Sequence, residues 1–124
     1  MSLIALIVDD SMLIRHTVCR VLEKRGFHVE TVSDGAAALE ALKTIRPDVI
    51  FTDLLMPRLD GTELIGALHA NAETASIPIV VVATKPLTGD IQETRAHAVI
   101  YKDLHIEEQL KKALENLFPP DAKN

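Results

Sequence analysis

Acidic residues follow two apolar runs of this chain, and a lysine follows a third. Leu3-Ile4-Ala5-Leu6-Ile7-Val8 leads into Asp9-Asp10, Val49-Ile50-Phe51-Thr52 into Asp53, and Ala98-Val99-Ile100-Tyr101 into Lys102. A carboxylate at the end of a buried strand is costly unless the strand delivers it to a site facing solvent. In a parallel α/β sheet, ligands bind outside the carboxyl ends of the strands, where the winding reverses. Three carboxylates gathered at that edge read as a divalent-cation pocket, and a lysine opposite them reads as an anion clamp. The combination suits phosphoryl chemistry. Carboxylates that close also repel one another, so at least one is expected to hold its proton more tightly than a free side chain does.

The elements that must position these residues follow from the pattern between them. Apolar runs alternate with helical periodicity along the chain, with no linker or low-complexity stretch. A first strand is expected over about 3–9. Ser11 then caps a helix in which Ile14, Val18, Val21 and Leu22 share a face, and Gly26 stops it. Phe27 to Val32 reads as a second, more polar strand suited to a sheet edge. Asp34-Gly35 turns into a helix carrying Leu39, Leu42 and Ile45 and ended by Pro47. A third strand is expected over 48–53, and after the Met56-Pro57 loop a helix from near Thr62 carrying Leu64, Ile65 and Leu68. Ile79 to Ala83 is a β-branched run of the kind covered on both faces of a parallel sheet. A short helix over 89–96, a fifth strand over 98–102 and a last helix over 106–118 complete the chain. Regular βα alternation with short crossovers predicts an α/β, doubly wound parallel sheet of five strands.

Composition narrows the function classes. The 124 residues suit one domain, and 48% hydrophobic content supports a well-buried sheet. The formal net charge is −5, without Trp and with one Tyr and three Phe, so neither a phosphate-binding footprint nor a stacking platform for nucleic acid is present in the sequence. No apolar run is long enough to cross a bilayer. The single Cys19 cannot form an internal disulfide, which makes a cytoplasmic location the expectation. Cys19 itself reads as a packed thiol. The five histidines, His16, His28, His69, His97 and His105, lack metal-ligand spacing, and no Gly-rich nucleotide motif occurs.

Beyond these features, the chain resembles the receiver domain of two-component response regulators from Ile4 to about Phe118. The stretch from Pro47 through Asp53, Met56-Pro57 and Asp60-Gly61 is similar to the family's phosphoacceptor strand and loop; Val8-Asp9-Asp10-Ser11 resembles its acidic pair. The resemblance implies a flavodoxin-like fold with strand order 2-1-3-4-5, a receiver domain over 1–118 and a C-terminal tail over 119–124. It implies Asp53 as phosphoacceptor, with Asp9, Asp10, Asp53 and the backbone carbonyl of Leu55 holding Mg²⁺. Lys102, and less directly Thr84, would bind phosphoryl oxygens. The implied partner is a sensor histidine kinase or phosphotransfer protein, and the domain is not itself an enzyme.

Taken singly, each motif has an ordinary reading: the acidic pair as helix cap and dipole partner, the Asp before Pro as a turn, the lysine as a solvated strand end. Their coincidence at the ends of three strands favours the site. Three positions depart from the family pattern. Ala83 stands where a hydroxyl is usual, with Thr84 next to it. Val99 replaces the usual aromatic, with Tyr101 expected out of phase with that position. Asp103 replaces the proline after the lysine, with a trans peptide bond expected. The resemblance therefore implies phosphorylation with a weakened means of reporting it. A phosphorylation-independent protein-binding pseudo-receiver is the alternative. An aspartyl-phosphate phosphatase is disfavoured, because Asp53-Leu54-Leu55 has no second acid two residues on.

Overall fold

The structure, a computed structural model, describes residues 3–53, 61–83, 96–103 and 105–118. Five strands, β1 (Ile4–Val8), β2 (His28–Val32), β3 (Val49–Thr52), β4 (Ile79–Ala83) and β5 (Ala98–Tyr101), form one parallel sheet in the order β2-β1-β3-β4-β5. Four helices lie among the described residues: α1 (Met12–Lys24), α2 (Gly35–Ala41), α3 (Gly61–Ala70) and α4 (Ile106–Leu117). The expected helix over 89–96 lies, but for its last residue, outside the described residues, as does the 119–124 tail.

Side chains of the central strands divide alternately between two apolar layers, as a sheet covered on both faces requires. Ala5, Ile7, Phe51, Val80 and Val82 pack with α1 and α4, anchored by Leu22 and Leu110. Leu6, Val8, Ile50, Val81 and Ala83 pack on the opposite face with α2 and α3, against Leu64, Ile65 and Leu68. β2, on the edge, is half-exposed, and its Glu30 pairs with His28 at the surface. The winding reverses between β1 and β3, so helices leave to opposite faces there and open a crevice at the strand ends.

Local signals placed most boundaries. The Ser11 hydroxyl accepts from the Ile14 N–H, and Asp34 Oδ1 accepts from the Ala37 N–H, each capping its helix. Gly26, at φ 92°, takes the left-handed turn after α1 that a side chain would strain. α2 ends earlier than its apolar pattern indicates. After Ala41 the backbone tightens, with Lys43 and Thr44 N–H groups reaching back only three residues to Glu40 and Ala41. Pro47 disfavours helical geometry at Arg46, whose guanidinium instead satisfies the carbonyls of Leu42 and Ile45.

Candidate functional site

Each site residue stands one position beyond its strand and is tied to the last residue of a neighbouring strand. The Asp9 N–H donates to Val32 C=O (3.1 Å), Asp53 N–H to Val8 C=O (3.1 Å) and Lys102 N–H to Ala83 C=O (2.8 Å). The parallel ladder thus runs one rung past the strands and brings two acids and the lysine to one edge. Asp10, next in the chain, is exposed. One carboxylate oxygen from each of Asp9, Asp10 and Asp53 lies within 4.8 Å of the others.

Burial makes this cluster chemically demanding. Asp9 is 1% exposed and Asp53 5%. Lys102 Nζ donates to Asp53 Oδ2 at 2.7 Å and to Asp9 Oδ1 at a longer 3.4 Å. It also stands 3.1 Å from Asp9 Oδ2, but off the direction a hydrogen bond requires, so that contact is an ion pair only. Asp9 Oδ2 is therefore buried without a hydrogen bond, while Asp9 Oδ1 accepts the Ser11 N–H at 2.8 Å. A buried carboxylate oxygen without a hydrogen bond is only partly compensated by a nearby ammonium. Its position beside two further carboxylates is what a hard cation with oxygen ligands would satisfy. The donor set fits Mg²⁺.

The electrostatics correct one expectation. Asp9 does hold its proton more tightly than usual, but burial is the main cause, outweighing the Ser11 N–H and Lys102, and the Asp53 charge adds least. Burial also opposes the charge on Lys102. The hydrogen bond to Asp53 and the charge of Asp9 override it and raise the lysine above its ordinary value.

The Asp9 shift has a stability consequence. A carboxyl raised above its unfolded value, near 3.8, stabilises the fold fully below that value and loses the contribution as pH rises through the folded one. Ionised Asp9 is thus a net cost to the metal-free fold near neutrality. Asp9→Asn keeps an acceptor for the Ser11 N–H and removes the charge. Without Mg²⁺, its melting temperature should exceed wild type at pH 7 and converge with it in acid. Thermal melts across that range check this, and a lower melting temperature at pH 7 would contradict it.

The remaining expected residues divide. Ala83 is buried at the end of β4 and Val99 is half-buried on β5; neither contributes a polar group. Tyr101 is not out of phase with Val99. Two residues apart on one strand, both pack into the layer containing Ala83 and Val81. Asp103 is exposed beside Lys102, and no cis peptide bond occurs among the described residues. Leu55 and Thr84 lie outside the described residues. Arg15, which no sequence argument singled out, donates from Nη1 to the Asp9 carbonyl at 2.6 Å. Its place one turn beyond the Ser11 cap is a faint signal, since cap-proximal arginines are usually solvated.

Comparison with known proteins agrees with this geometry. Residues 5–115 match the model of the response regulator receiver domain family. Response regulator MprA of Mycobacterium ulcerans is 38% identical over 85 residues, which are 68% of this chain and 36% of that protein. The matched stretch thus spans about a third of that relative's length. The chemotaxis response regulator CheY4 of Vibrio cholerae superposes with a TM-score of 0.83 at 30% identity, covering 95% of this chain and all of that one. The receiver domain of sensor histidine kinase PA1611 from Pseudomonas aeruginosa, solved with a magnesium ion coordinated in its active-site cleft, gives a TM-score of 0.82. At 22% identity over 94% of this chain and 98% of that one, the second likeness is one of fold. With a family match over nearly its whole length and an acidic cluster at the switch point of the same fold, the chain belongs to the response regulator receiver domain family of two-component signalling.

Proposed function

We propose that this domain accepts a phosphoryl group on Asp53 from a phosphohistidine of a sensor histidine kinase or phosphotransfer protein, using Mg²⁺, and signals through altered protein contacts. The observation that carries this reading is the grouping of Asp9, Asp10 and Asp53 around a buried, unbonded Asp9 oxygen, with Lys102 against Asp53. Asp9, Asp10 and Asp53 would hold the metal, with the Leu55 carbonyl as a further donor. When bound, Mg²⁺ neutralises charge on the transferring oxygens.

The chain's own residues do the rest. An Asp53 oxygen attacks phosphorus, forming an O–P bond as the bond to the donor nitrogen breaks and imidazole leaves with its electron pair. Lys102, already 2.7 Å from Asp53, passes from the carboxylate to a phosphoryl oxygen as a point charge. Such a transfer is helped mainly by positioning and charge. Leu13 and Ile14 of α1 and Ile106 of α4 line a concave patch with Lys102, and Met12 and Leu13 are 76% and 72% exposed. This apolar rim beside the acidic cluster gives a donor protein a surface to dock on.

The receiver is assigned to 1–118 with a tail over 119–124, in the cytoplasm, and without direct nucleic-acid binding. Among the described residues no helix is long and apolar enough to cross a membrane. The domain receives a group rather than turning over a substrate. Acetyl phosphate with Mg²⁺ should add one phosphoryl group, read by intact mass, and omission of Mg²⁺ should suppress it. No uptake under either condition would favour the phosphorylation-independent binding module, to which the apolar Ala83 and Val99 already lean.

A further inference from the structure

We propose that Gln109 is a positioning residue for Lys102: its side-chain amide stands in for a neighbouring strand beside β5 and, with Asp103, holds the backbone on both sides of the lysine. The function assigned to Lys102 rests on the phosphoacceptor reading; the clamp rests on geometry.

β5 is the last strand of the sheet, and no strand lies on its outer side among the described residues. The Lys102 N–H faces inward, to Ala83 of β4. Tyr101, one residue earlier, therefore turns its N–H and C=O outward, to the edge that would otherwise be unpaired. Gln109 of α4 meets both. Its Oε1 accepts the Tyr101 N–H at 2.8 Å, and its Nε2 donates to the Tyr101 C=O at 3.1 Å. One planar amide thus makes the two bonds that a strand neighbour would make.

The same Nε2 donates to Asp103 Oδ1 at 3.1 Å, and that oxygen also accepts the His105 N–H at 2.8 Å. The Asp103 N–H in turn donates to the Tyr101 C=O at 2.9 Å. Tyr101, Asp103 and His105 are tied in one network, and Lys102 lies inside it. The network has a firm base, because Ile106, Leu110, Ala113 and Leu114 bury α4 against the sheet. A lysine stem is long and rotatable, so its aim depends on where the backbone starts it. The amide chemistry is specific. Glutamate could accept from Tyr101 N–H but could not donate to Tyr101 C=O, and its charge would face Asp103.

An ordinary role, merely covering an exposed edge, would leave the chemistry at Lys102 unchanged. The separating experiment uses the 124-residue protein as wild type, Gln109→Ala, Gln109→Glu, Lys102→Ala and the double variant Gln109→Ala/Lys102→Ala. Binding of Mg²⁺ alone reads the carboxylates, and binding of beryllofluoride with Mg²⁺ reads the lysine. Both Gln109 variants should weaken beryllofluoride about tenfold, the scale of a mispositioned hydrogen-bonding group, and leave Mg²⁺ affinity within about twofold. In the Lys102→Ala background, Gln109→Ala should cost nothing further. Unchanged beryllofluoride affinity, an equal loss of Mg²⁺ affinity, or the same cost without Lys102 would each overturn the clamp. In the metal-free protein, the Lys102 ammonium signal in ¹⁵N NMR should be observable in wild type and broadened away in Gln109→Ala. If wild type binds no beryllofluoride, the phosphoacceptor reading fails, and this signal still decides the clamp: its persistence in Gln109→Ala overturns it.

Discussion

Asp53→Asn is expected to take up no phosphoryl group from acetyl phosphate and Mg²⁺, where wild type takes up one. The substitution is nearly isosteric, so the buried end of β3 keeps its shape, but a neutral amide is no nucleophile toward phosphorus. The neighbours are poorly placed to substitute for it. Asp9 is buried, and one of its oxygens already holds the Ser11 N–H. Lys102 makes its shortest contact with Asp53, not with Asp9. Intact mass measured over a time course checks the loss. Incorporation at the wild-type level in Asp53→Asn would remove Asp53 from the role.

The second large effect is on stability. Lys102→Met should destabilise the metal-free domain at neutral pH by about 3 kcal/mol, the lower end of what breaking a buried ion pair costs, since water reaches part of the lysine. Methionine keeps most of the apolar stem, so the loss reports the charge. Asp9 and Asp53 would then lose the ammonium that pairs with both of them. Asp9, already raised by burial, would lose the lysine that lowers it and bind its proton more readily still, so the deficit should shrink as pH falls through the carboxyl range and grow again toward neutrality. Mg²⁺ at about a hundredfold excess over its Kd should restore roughly 2–3 kcal/mol by binding the folded state alone. Urea unfolding at neutral and acid pH, with and without Mg²⁺, checks this. Equal stability of variant and wild type at neutral pH would contradict it.

Much of this was legible because the decisive signals are local and periodic. Val49-Ile50-Phe51-Thr52 is a short β-branched and aromatic run between Pro47-Asp48 and Asp53, which reads as a strand. A strand at that position in a parallel sheet must release Asp53 at the carboxyl edge. Asp9-Asp10-Ser11 likewise combines a strand end with a helix cap. The strand order was implied by the family resemblance, not by the periodicity.

What was not legible depends on the third dimension. Repulsion, which spacing suggests, predicts only that one of the three carboxylates is raised; that it is Asp9, and that burial is the larger cause, spacing does not report. The early end of α2 reflects competition between an apolar stripe running to Ile45 and the backbone restriction ahead of Pro47. Gln109 had no signal at all. It sits on the polar side of an amphipathic helix, where glutamine is ordinary, and only the register of α4 beside β5 makes it an edge partner.

The central claim is that the carboxylate of Asp53 becomes an acyl phosphate. Borohydride converts an aspartyl phosphate to homoserine, which survives proteolysis and can be placed by peptide sequencing. After treatment with acetyl phosphate and Mg²⁺, homoserine should be found at position 53 and absent when Mg²⁺ is withheld. Homoserine at position 9 or 10, or at no position, would contradict the account.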